Sequence, residues 1–320
     1  EGAAMRRALA SEFAHGAIVT TTVDPRIPPD EGRWRSVPIA STEELEALAG
    51  QADFTLLIAP ESSGVLEALT RRLDAAGVRL LGSTADAARL TGDKAALGAR
   101  LTSRGVPSPA FRLLEPGQAI ADEAPLPAVV KPVDGAGSLE THLIRTREEA
   151  RRWSPVAEPR IVQDLAPGVP MSATFLMRAD GRRRLLAIGE QRMQVERGRF
   201  VYQGGRIPVR CEGVAAIVDR AVACVDGLRG LVGVDFVWND EERRATVLEI
   251  NPRPTTSCVG LLRILPPGGL ASAWLDDAST GESWEAAVDR LARILDRAAP
   301  IEFDAAGRTW AFAGAGERVR

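Results

Sequence analysis

Lysine is almost absent from this chain. Only Lys94 and Lys131 occur among 40 lysine and arginine residues, so 38 of the cationic side chains are arginines. A sequence that uses arginine wherever a surface cation suffices retains lysine where a compact ammonium group fits and a planar guanidinium group does not. Phosphate binding in a narrow cleft is one such place. The alternative is that both lysines are incidental surface residues.

Other scarcities exclude whole classes of protein. The net charge is −3, without the basic surplus that nucleic-acid or anionic-membrane binding requires. No apolar run is long enough to span a bilayer and no signal peptide is recognisable, so we expect a cytoplasmic protein. The three cysteines, Cys211, Cys224 and Cys258, lack metal-ligand spacing and are expected to be reduced thiols. The two histidines form no evident catalytic dyad.

The chain is long enough, at 320 residues, for two or three domains. Residues 1–90 alternate short strands with helices, which predicts a small parallel α/β domain. Residues 91–160 predict a helix followed by strands, and residues 161–320 predict an antiparallel sheet with a long helix at 214–228. The expected fold class is therefore α/β with α+β character. Because the first domain opens on a helix, at 1–11, we expect a strand to precede it in the natural protein.

Two apolar segments within residues 1–90 predict buried parallel strands. They span 53–59 and 78–82, and a helix is predicted between them at 63–76. Ligands bind at the carboxyl ends of such strands. We therefore expect the loop at 60–64 to lie near a binding site.

Lys131 ends an apolar strand and is closely followed by a glycine-rich loop. This loop, residues 134–138 (DGAGS), has two glycines that allow backbone amides to turn toward an anion. An ammonium group beside such amides suits a triphosphate, whereas an ordinary β-turn would explain the glycines alone. The chain lacks the P-loop sequence, and no helix opens directly after this loop as a dinucleotide-binding fold requires.

Two apolar strands around a polar turn predict a metal site. Asp235 lies in the first strand, and Glu249 and Asn251 lie in the second. Because side chains alternate along a strand, Glu249 and Asn251 share one face. Leu248 and Ile250 are expected on the other face, and a hairpin can bring Asp235 beside the polar one. Two carboxylates and an amide carbonyl suit Mg²⁺ held jointly with phosphates, although a solvated strand face is the alternative.

Taken in order, these segments resemble the ATP-grasp superfamily of carboxylate–amine ligases, from about Gly82 to Leu262. The resemblance implies an ATP-grasp fold in which residues 91–160 carry the phosphate-binding lysines and residues 161–320 carry the metal site, after a small domain at 1–90. It also implies that ATP is bound together with Mg²⁺, or with Mn²⁺ as an alternative. The implied ATP-binding residues are Lys94, Lys131, Gly135, Gly137, Ser138, Gln163, Asp164 and Leu165.

The same resemblance assigns the metal and substrate side of the cleft. Arg253 resembles the family arginine that contacts the reacting carboxylate or acyl phosphate, and Arg192 is a second catalytic candidate; an ordinary surface arginine is the alternative for Arg253. The implied metal ligands are Asp235, Glu249 and Asn251. The expected substrate contacts are Glu61, Gly204, Gly205 and Arg206.

Two positions depart from the family pattern. Gly233 stands two residues before the first metal ligand, where many members have an arginine, and Arg192 is expected to replace that arginine. Gly168 is followed by Val169 instead of an acidic ribose ligand, so Asp164 is expected to bind the ribose.

A narrower resemblance is to the tyramine–glutamate ligase family, which is linked to methanofuran and methylofuran biosynthesis. It rests on residues 251–257 (NPRPTTS), 202–205 (YQGG) and 59–61 (APE). It implies an amide bond between a glutamate carboxylate and a tyramine- or tyrosine-like amine, formed through an acyl phosphate. The expected partners are these small molecules and a second copy of the chain in a homodimer. An ATP-dependent carboxylase, a small-molecule kinase and a non-catalytic nucleotide-binding protein are the alternatives.

Overall fold

The computed structural model describes residues 1–121, 124–135, 140–153, 155–276 and 281–311. Within them the helices are α1 Gly2–Phe13, α2 Thr42–Ala49, α3 Val65–Ala75, α4 Ala85–Gly92, α5 Lys94–Ser103, α6 Arg147–Arg152, α7 Ala215–Val222, α8 Ser257–Leu262, α9 Gly269–Leu275 and α10 Trp284–Arg297. The strands are β1 Thr20–Val23, β2 Arg35–Pro38, β3 Phe111–Leu114, β4 Ala128–Pro132, β5 His142–Ile144, β6 Arg160–Asp164, β7 Val169–Met177, β8 Arg183–Glu196, β9 Arg199–Ile207, β10 Gly230–Asn239, β11 Arg244–Asn251, β12 Ile301–Asp304 and β13 Thr309–Ala311. A 3₁₀ turn covers Ser62–Gly64.

One antiparallel sheet of eleven strands carries most of the described structure. Its order is β11-β10-β7-β8-β9-β5-β4-β6-β3, and β12 pairs with β9 and with β13. The hairpin β10–β11 thus forms one end, and the lysine-bearing strand β4 lies toward the other. This sheet, preceded by a small part with parallel pairing, confirms the expected α/β and α+β fold class.

Parallel pairing in the first part of the chain is short. Strands β1 and β2 pair over four residues. The predicted strands at 53–59 and 78–82 meet only at a parallel bridge between Thr55 and Leu80. An apolar run predicts burial, whereas a strand also needs hydrogen-bond partners for its backbone groups. These two segments provide such partners for each other only at the single bridge.

Apolar clusters cover both faces of the large sheet. Neighbouring residues of β7 belong to different clusters: Phe175 packs with α5 and α7, and Leu176 packs with α1, α9 and α10. Because successive strand side chains point to opposite faces, β7 must be apolar on both sides. This explains its continuous apolar run and places β7 at the centre of the protein.

Local turns and caps set the ends of several elements. A hairpin around residues 180–181 joins β7 to β8, and Ser283 caps α10 by accepting a hydrogen bond from the amide of Ala286. The helix predicted at 214–228 is shorter, as α7. No described helix is long and apolar enough to cross a membrane. The domain boundaries near residues 90 and 160 stay predictions.

Candidate active site

A cavity of about 400 Å³ brings many of the predicted site residues together. It lies where strands β4 and β6 face the hairpin β10–β11 and the start of the segment after it. Its wall includes Lys94, Lys131, Gln163, Leu165, Asp235, Glu249, Asn251 and Arg253. These residues come from well-separated parts of the sequence, so the fold assembles them.

The two lysines are buried in the wall of this cavity. Lys94 opens α5 directly after Asp93, whose carboxylate caps the helix, and its Nζ donates to the carbonyl of Gly135 at 2.6 Å. Lys131 lies in β4 and is 6% exposed. Burial lowers the pKa of Lys131 to about 8, with Glu249 opposing the shift. Two buried ammonium groups around one cavity suit a polyanionic ligand.

The predicted metal ligands lie side by side on the hairpin. Asp235 is directly opposite Glu249 in the register of β10 and β11. The Asp235 carboxylate accepts hydrogen bonds from the side-chain amides of Gln191, at 2.9 Å, and Asn251, at 3.0 Å. Burial and, secondly, the neighbouring Glu249 raise the pKa of Asp235.

This donor set fits a divalent cation. Asn251 uses its amide N–H toward Asp235, which leaves its carbonyl oxygen as a ligand beside the carboxylates of Asp235 and Glu249. Hard oxygen donors of this kind are those that Mg²⁺ takes in proteins. No group of three or more His, Cys, Asp or Glu side chains suited to a metal occurs among the described residues. The candidate site therefore depends on the amide as its third ligand.

The expected position of Leu248 on the opposite strand face is wrong. The register shifts between Asp235 and Phe236: Asp235 pairs with Glu249, whereas Phe236 pairs with Val247. Leu248, between them on β11, is left without a partner on β10. Such a bulge re-aims side chains. Leu248 consequently joins Glu249 in the cavity wall.

Arg253 forms a buried ion pair with Glu61. The guanidinium Nη2 donates to Glu61 Oε2 at 2.8 Å, and Nη1 donates to the carbonyl of Pro254. The second carboxylate oxygen of Glu61 and the Nε of Arg253 are buried without a hydrogen-bond partner in the described structure. The loop at 60–64 thus reaches the cleft through Arg253, although Glu61 is not itself in the cavity wall.

The structure does not bring Arg192 or Arg206 to the cavity wall. Arg192 donates to Glu302 at 2.7 Å and lies over the ring of Trp310. Arg206 pairs with Glu190 at 2.6 Å. Because both guanidinium groups pair with carboxylates that are not part of the cavity wall, their expected contacts with substrate and with the acyl phosphate stay predictions.

Gly204 and Gly205 make room for neighbouring strands. A Cβ atom at Gly204 would overlap the backbone carbonyl of Phe303 on β12, and one at Gly205 would overlap the carbonyl of Glu190 on β8. Gly204 also has a φ of +113°, which favours glycine. Close strand approach explains both glycines without a substrate.

Some of the predicted ATP-binding residues line the cavity wall and others do not. Gln163 and Leu165 line the cavity, whereas Asp164 between them is exposed at the end of β6. Gly135 reaches the site through its carbonyl, which accepts from Lys94. Gly137 and Ser138 lie outside the described residues. The apolar part of the cavity wall includes Val129, Leu165, Pro170, Val237 and Leu248.

Sequence reasoning missed part of the wall. Outside every quoted motif are Ser172, Gln191, Met193 and Phe200. Within the quoted segments 202–205 and 251–257, but not predicted as site residues, are Tyr202, Thr255, Thr256 and Ser257. Tyr202 is the only tyrosine of the chain, and burial raises its pKa above the usual range. That scarcity, like the scarcity of lysine, was a usable signal; nothing local marks Gln191 or Met193.

Comparisons with known proteins decide the family. Residues 91–257 match the model of the ATP-grasp domain, and residues 18–88 match the model of the pre ATP-grasp 3 domain. The chain belongs to the ATP-grasp family. The predicted resemblance to the ATP-grasp superfamily is thereby confirmed.

Several curated relatives are ligases. Tyramine–L-glutamate ligase of Methanocaldococcus fervens is 24% identical over 273 residues, which are 82% of this chain and 82% of the relative. The enzyme of the same name from Methanocaldococcus jannaschii is 25% identical over 217 residues, 65% of this chain and 58% of the relative. D-alanine–D-alanine ligase of Acidiphilium cryptum is 26% identical over 59% of this chain and 66% of the relative. These relatives support activity as an ATP-grasp carboxylate–amine ligase.

Solved structures show the same fold. An ATP-grasp superfamily protein from Archaeoglobus fulgidus has a TM-score of 0.66 and 23% identity, covering 94% of this chain and 84% of that one. An L-amino acid ligase from Bacillus licheniformis has a TM-score of 0.60 and 17% identity, covering 78% and 64%.

Proposed function

We propose that this chain is an ATP-dependent ligase that joins a carboxyl group of glutamate to a primary amine resembling tyramine or tyrosine. The observation that carries the proposal is one cavity wall in which two buried lysines, two carboxylates and a partly buried arginine lie together. The names of two relatives, both tyramine–L-glutamate ligases, support the substrates. From the resemblance to that ligase family we also propose a place in cofactor biosynthesis of the methanofuran or methylofuran kind.

In this proposal ATP occupies the cavity from its apolar end to its charged end. The adenine base lies at Gln163 and Leu165, and the phosphates lie between Lys94 and Lys131, where charge-assisted hydrogen bonds are available. Asp235, Glu249 and Asn251 would hold a divalent cation, which would neutralise phosphate charge.

The reaction has two steps. The glutamate carboxylate attacks the γ-phosphorus, the bond to the bridging oxygen of ADP breaks, and an acyl phosphate forms. The amine then attacks the acyl carbon, phosphate leaves, and the nitrogen loses a proton to give the amide. Arg253 binds the carboxylate, and Glu61 holds Arg253 in place through their ion pair. The protein contributes positioning and charge neutralisation, so no side-chain nucleophile is needed.

The test is product formation with defined substrates. Purified protein is incubated with ATP, a magnesium salt, glutamate and tyramine or tyrosine, and ADP release is followed while mass spectrometry detects the product. We expect ADP and a glutamyl amide in equal amounts, and fragmentation of the product tells an α from a γ linkage. Omitting each substrate in turn is the control.

Two outcomes would replace the proposal. ADP formed only with bicarbonate would indicate a carboxylase, the reaction class of the alternative reading. ADP formed with glutamate at full rate in the absence of any amine, with a stable phosphorylated product, would indicate a kinase.

A further inference from the structure

The cavity-facing side of strands β11, β10 and β7 changes character along its length. Three successive rows run across these strands: an apolar row with Val237 and Pro170; a polar row with Glu249, Asp235 and Ser172; and a third row with Asn251, Gly233 and Thr174. Leu248, at the bulge, adds to the apolar part of the cavity wall. The metal ligands occupy the second row and extend to Asn251. The third row therefore lies on the side of the metal ligands away from the apolar end.

Thr255 covers the glycine in the third row. A Cβ atom at Gly233 would lie 2.5 Å from the methyl carbon of Thr255 and 3.3 Å from its hydroxyl oxygen. The absence of a side chain at position 233 thus provides the space that Thr255 fills. With the Thr255 methyl packed on this glycine, its hydroxyl is directed by its hydrogen bond to Ser257.

Three hydroxyl groups form a chain that ends at the cavity. Thr255 Oγ1 is 2.8 Å from Ser257 Oγ, which is 3.3 Å from Thr174 Oγ1. These three hydroxyl groups carry three protons but make only two hydrogen bonds with one another. No further side-chain partner of their oxygens occurs in the described structure. Thr174 is 2% exposed and is absent from the cavity wall, whereas Thr255 and Ser257 line it. The surplus proton can therefore be presented at the Thr255 end.

The hydroxyl of the intervening Thr256 is directed elsewhere. It donates to the carboxylate of Glu1 and takes no part in the chain. Thr255, by contrast, follows Arg253 by two residues, and both line the cavity beside Asn251. A neutral hydroxyl donor and a guanidinium group beside the metal ligands are complementary to a carboxylate.

We propose that Thr255, held by Ser257 and Thr174, donates a hydrogen bond to the glutamate carboxylate that is activated, and so positions it for attack. This inference rests on the proposed function and adds a specificity-determining residue to it. Thr255 acts on the acyl substrate and not on the nucleotide. Loss of the Thr255 hydroxyl is therefore expected to change the KM for glutamate and to leave the KM for ATP unchanged.

The test uses two substitutions that divide the threonine side chain. Thr255→Val keeps the methyl packing on Gly233 and removes the hydroxyl; Thr255→Ser keeps the hydroxyl and removes a methyl. We expect Thr255→Val to raise the KM for glutamate by about tenfold or more, as loss of a hydrogen bond to a charged group does. Thr255→Ser should stay within about threefold of wild type, because the donor is retained. The KM for ATP should be unchanged in both.

Two further variants serve as comparisons. Thr174→Val removes the far end of the chain and should raise the KM for glutamate by only about twofold to threefold, since Ser257 can still orient Thr255. Thr70→Val removes a buried threonine hydroxyl in α3, away from the cavity wall, and should change neither KM. The melting temperature of each variant shows whether it folds.

Each outcome decides the proposal. An unchanged KM for glutamate in Thr255→Val, an equal rise in Thr255→Ser, or an equal rise in the KM for ATP would overturn the role of the hydroxyl while wild type still makes the amide. Wild-type protein that makes no glutamyl amide overturns the proposed function, and the assignment of glutamate to Thr255 with it. The two failures differ because the first is seen between variants and the second in wild type.

Discussion

Charged side chains on the outer surface and in the cavity are paired in different ways. At the surface, Arg183 donates to both carboxylate oxygens of Asp219, at 2.7 and 2.8 Å. In the cavity, Lys94 lies 4.0 Å from Glu249 and donates instead to a backbone carbonyl. Lys131 has no ion pair within 4.0 Å among the described residues.

The difference supports the cavity as the place where we propose that this protein binds an anion. A guanidinium group that forms two parallel hydrogen bonds to one carboxylate already uses its strongest hydrogen bonds within the protein. Lys131 and Asp235 are buried in the cavity wall without such a pair, and burial shifts the pKa of Lys131 down and that of Asp235 up. Groups with pKa values perturbed in this way are candidates for function, because a bound ligand of opposite charge offsets the free-energy cost of burying them.

The largest effect is expected when a cavity carboxylate is neutralised. Glu249→Gln keeps the shape of the side chain and removes a charged oxygen ligand, so we expect kcat to fall by roughly 10²–10³-fold, the range for losing one electrostatic contact in a reaction centre. The dependence of ADP release on magnesium concentration should weaken as well. The matched surface variant, Asp219→Asn, should leave both unchanged, and equal losses in the two variants would contradict the comparison.

Replacing the buried lysine should have the next largest effect. Lys131→Ala should lower ATP affinity by roughly tenfold or more, since a charge-assisted contact contributes about 1.5–3 kcal/mol. Lys131→Arg should fail similarly because a planar fork does not fit the place of a compact ammonium group. Isothermal calorimetry measures both, and wild-type affinity in either variant would count against the phosphate role.

A smaller effect is expected from pH. The pKa of Lys131 is about 8, so this lysine is mostly protonated at pH 7 and mostly neutral at pH 9. Because phosphates favour the protonated form, ATP affinity should fall by about fivefold between these pH values. The fall should be weaker in Lys131→Ala, and an identical pH profile in that variant would assign the effect to another group.

The smallest effect is expected at the surface. Arg183→Ala breaks the pair with Asp219, but the two side chains are 28% and 48% exposed. We expect a loss of about 0.5–1 kcal/mol in the free energy of unfolding, measured by urea denaturation, as for other solvent-screened pairs. ATP affinity should remain at the wild-type value.

Much of the site followed from local signals. The scarcity of lysine marked Lys94 and Lys131, and alternation in the strand around Glu249 placed it with Asn251 on one face. These inferences needed only residue type and a period of two along a strand. The order of the motifs was enough to predict the family.

Other features depended on contacts that no local pattern encodes. The strands predicted at 53–59 and 78–82 pair at a single bridge, and a bulge opposite β10 brought Leu248 into the cavity wall. Arg192 and Arg206 were expected at the substrate, yet both pair with carboxylates away from the cavity wall. Arginine is so common here that its presence at a position carries little information.

By itself, the sequence determined the fold class, the order of the nucleotide-binding segments and the residues that could carry charge to a phosphate. Only the tertiary structure decided that Glu61 pairs with Arg253 across 192 positions of the chain, and that Thr255 covers Gly233. The physical reason is that periodicity and residue type act over a few neighbouring residues. Ion pairs and close contacts between distant segments exist only after strand register and loop paths are set by packing of the whole chain.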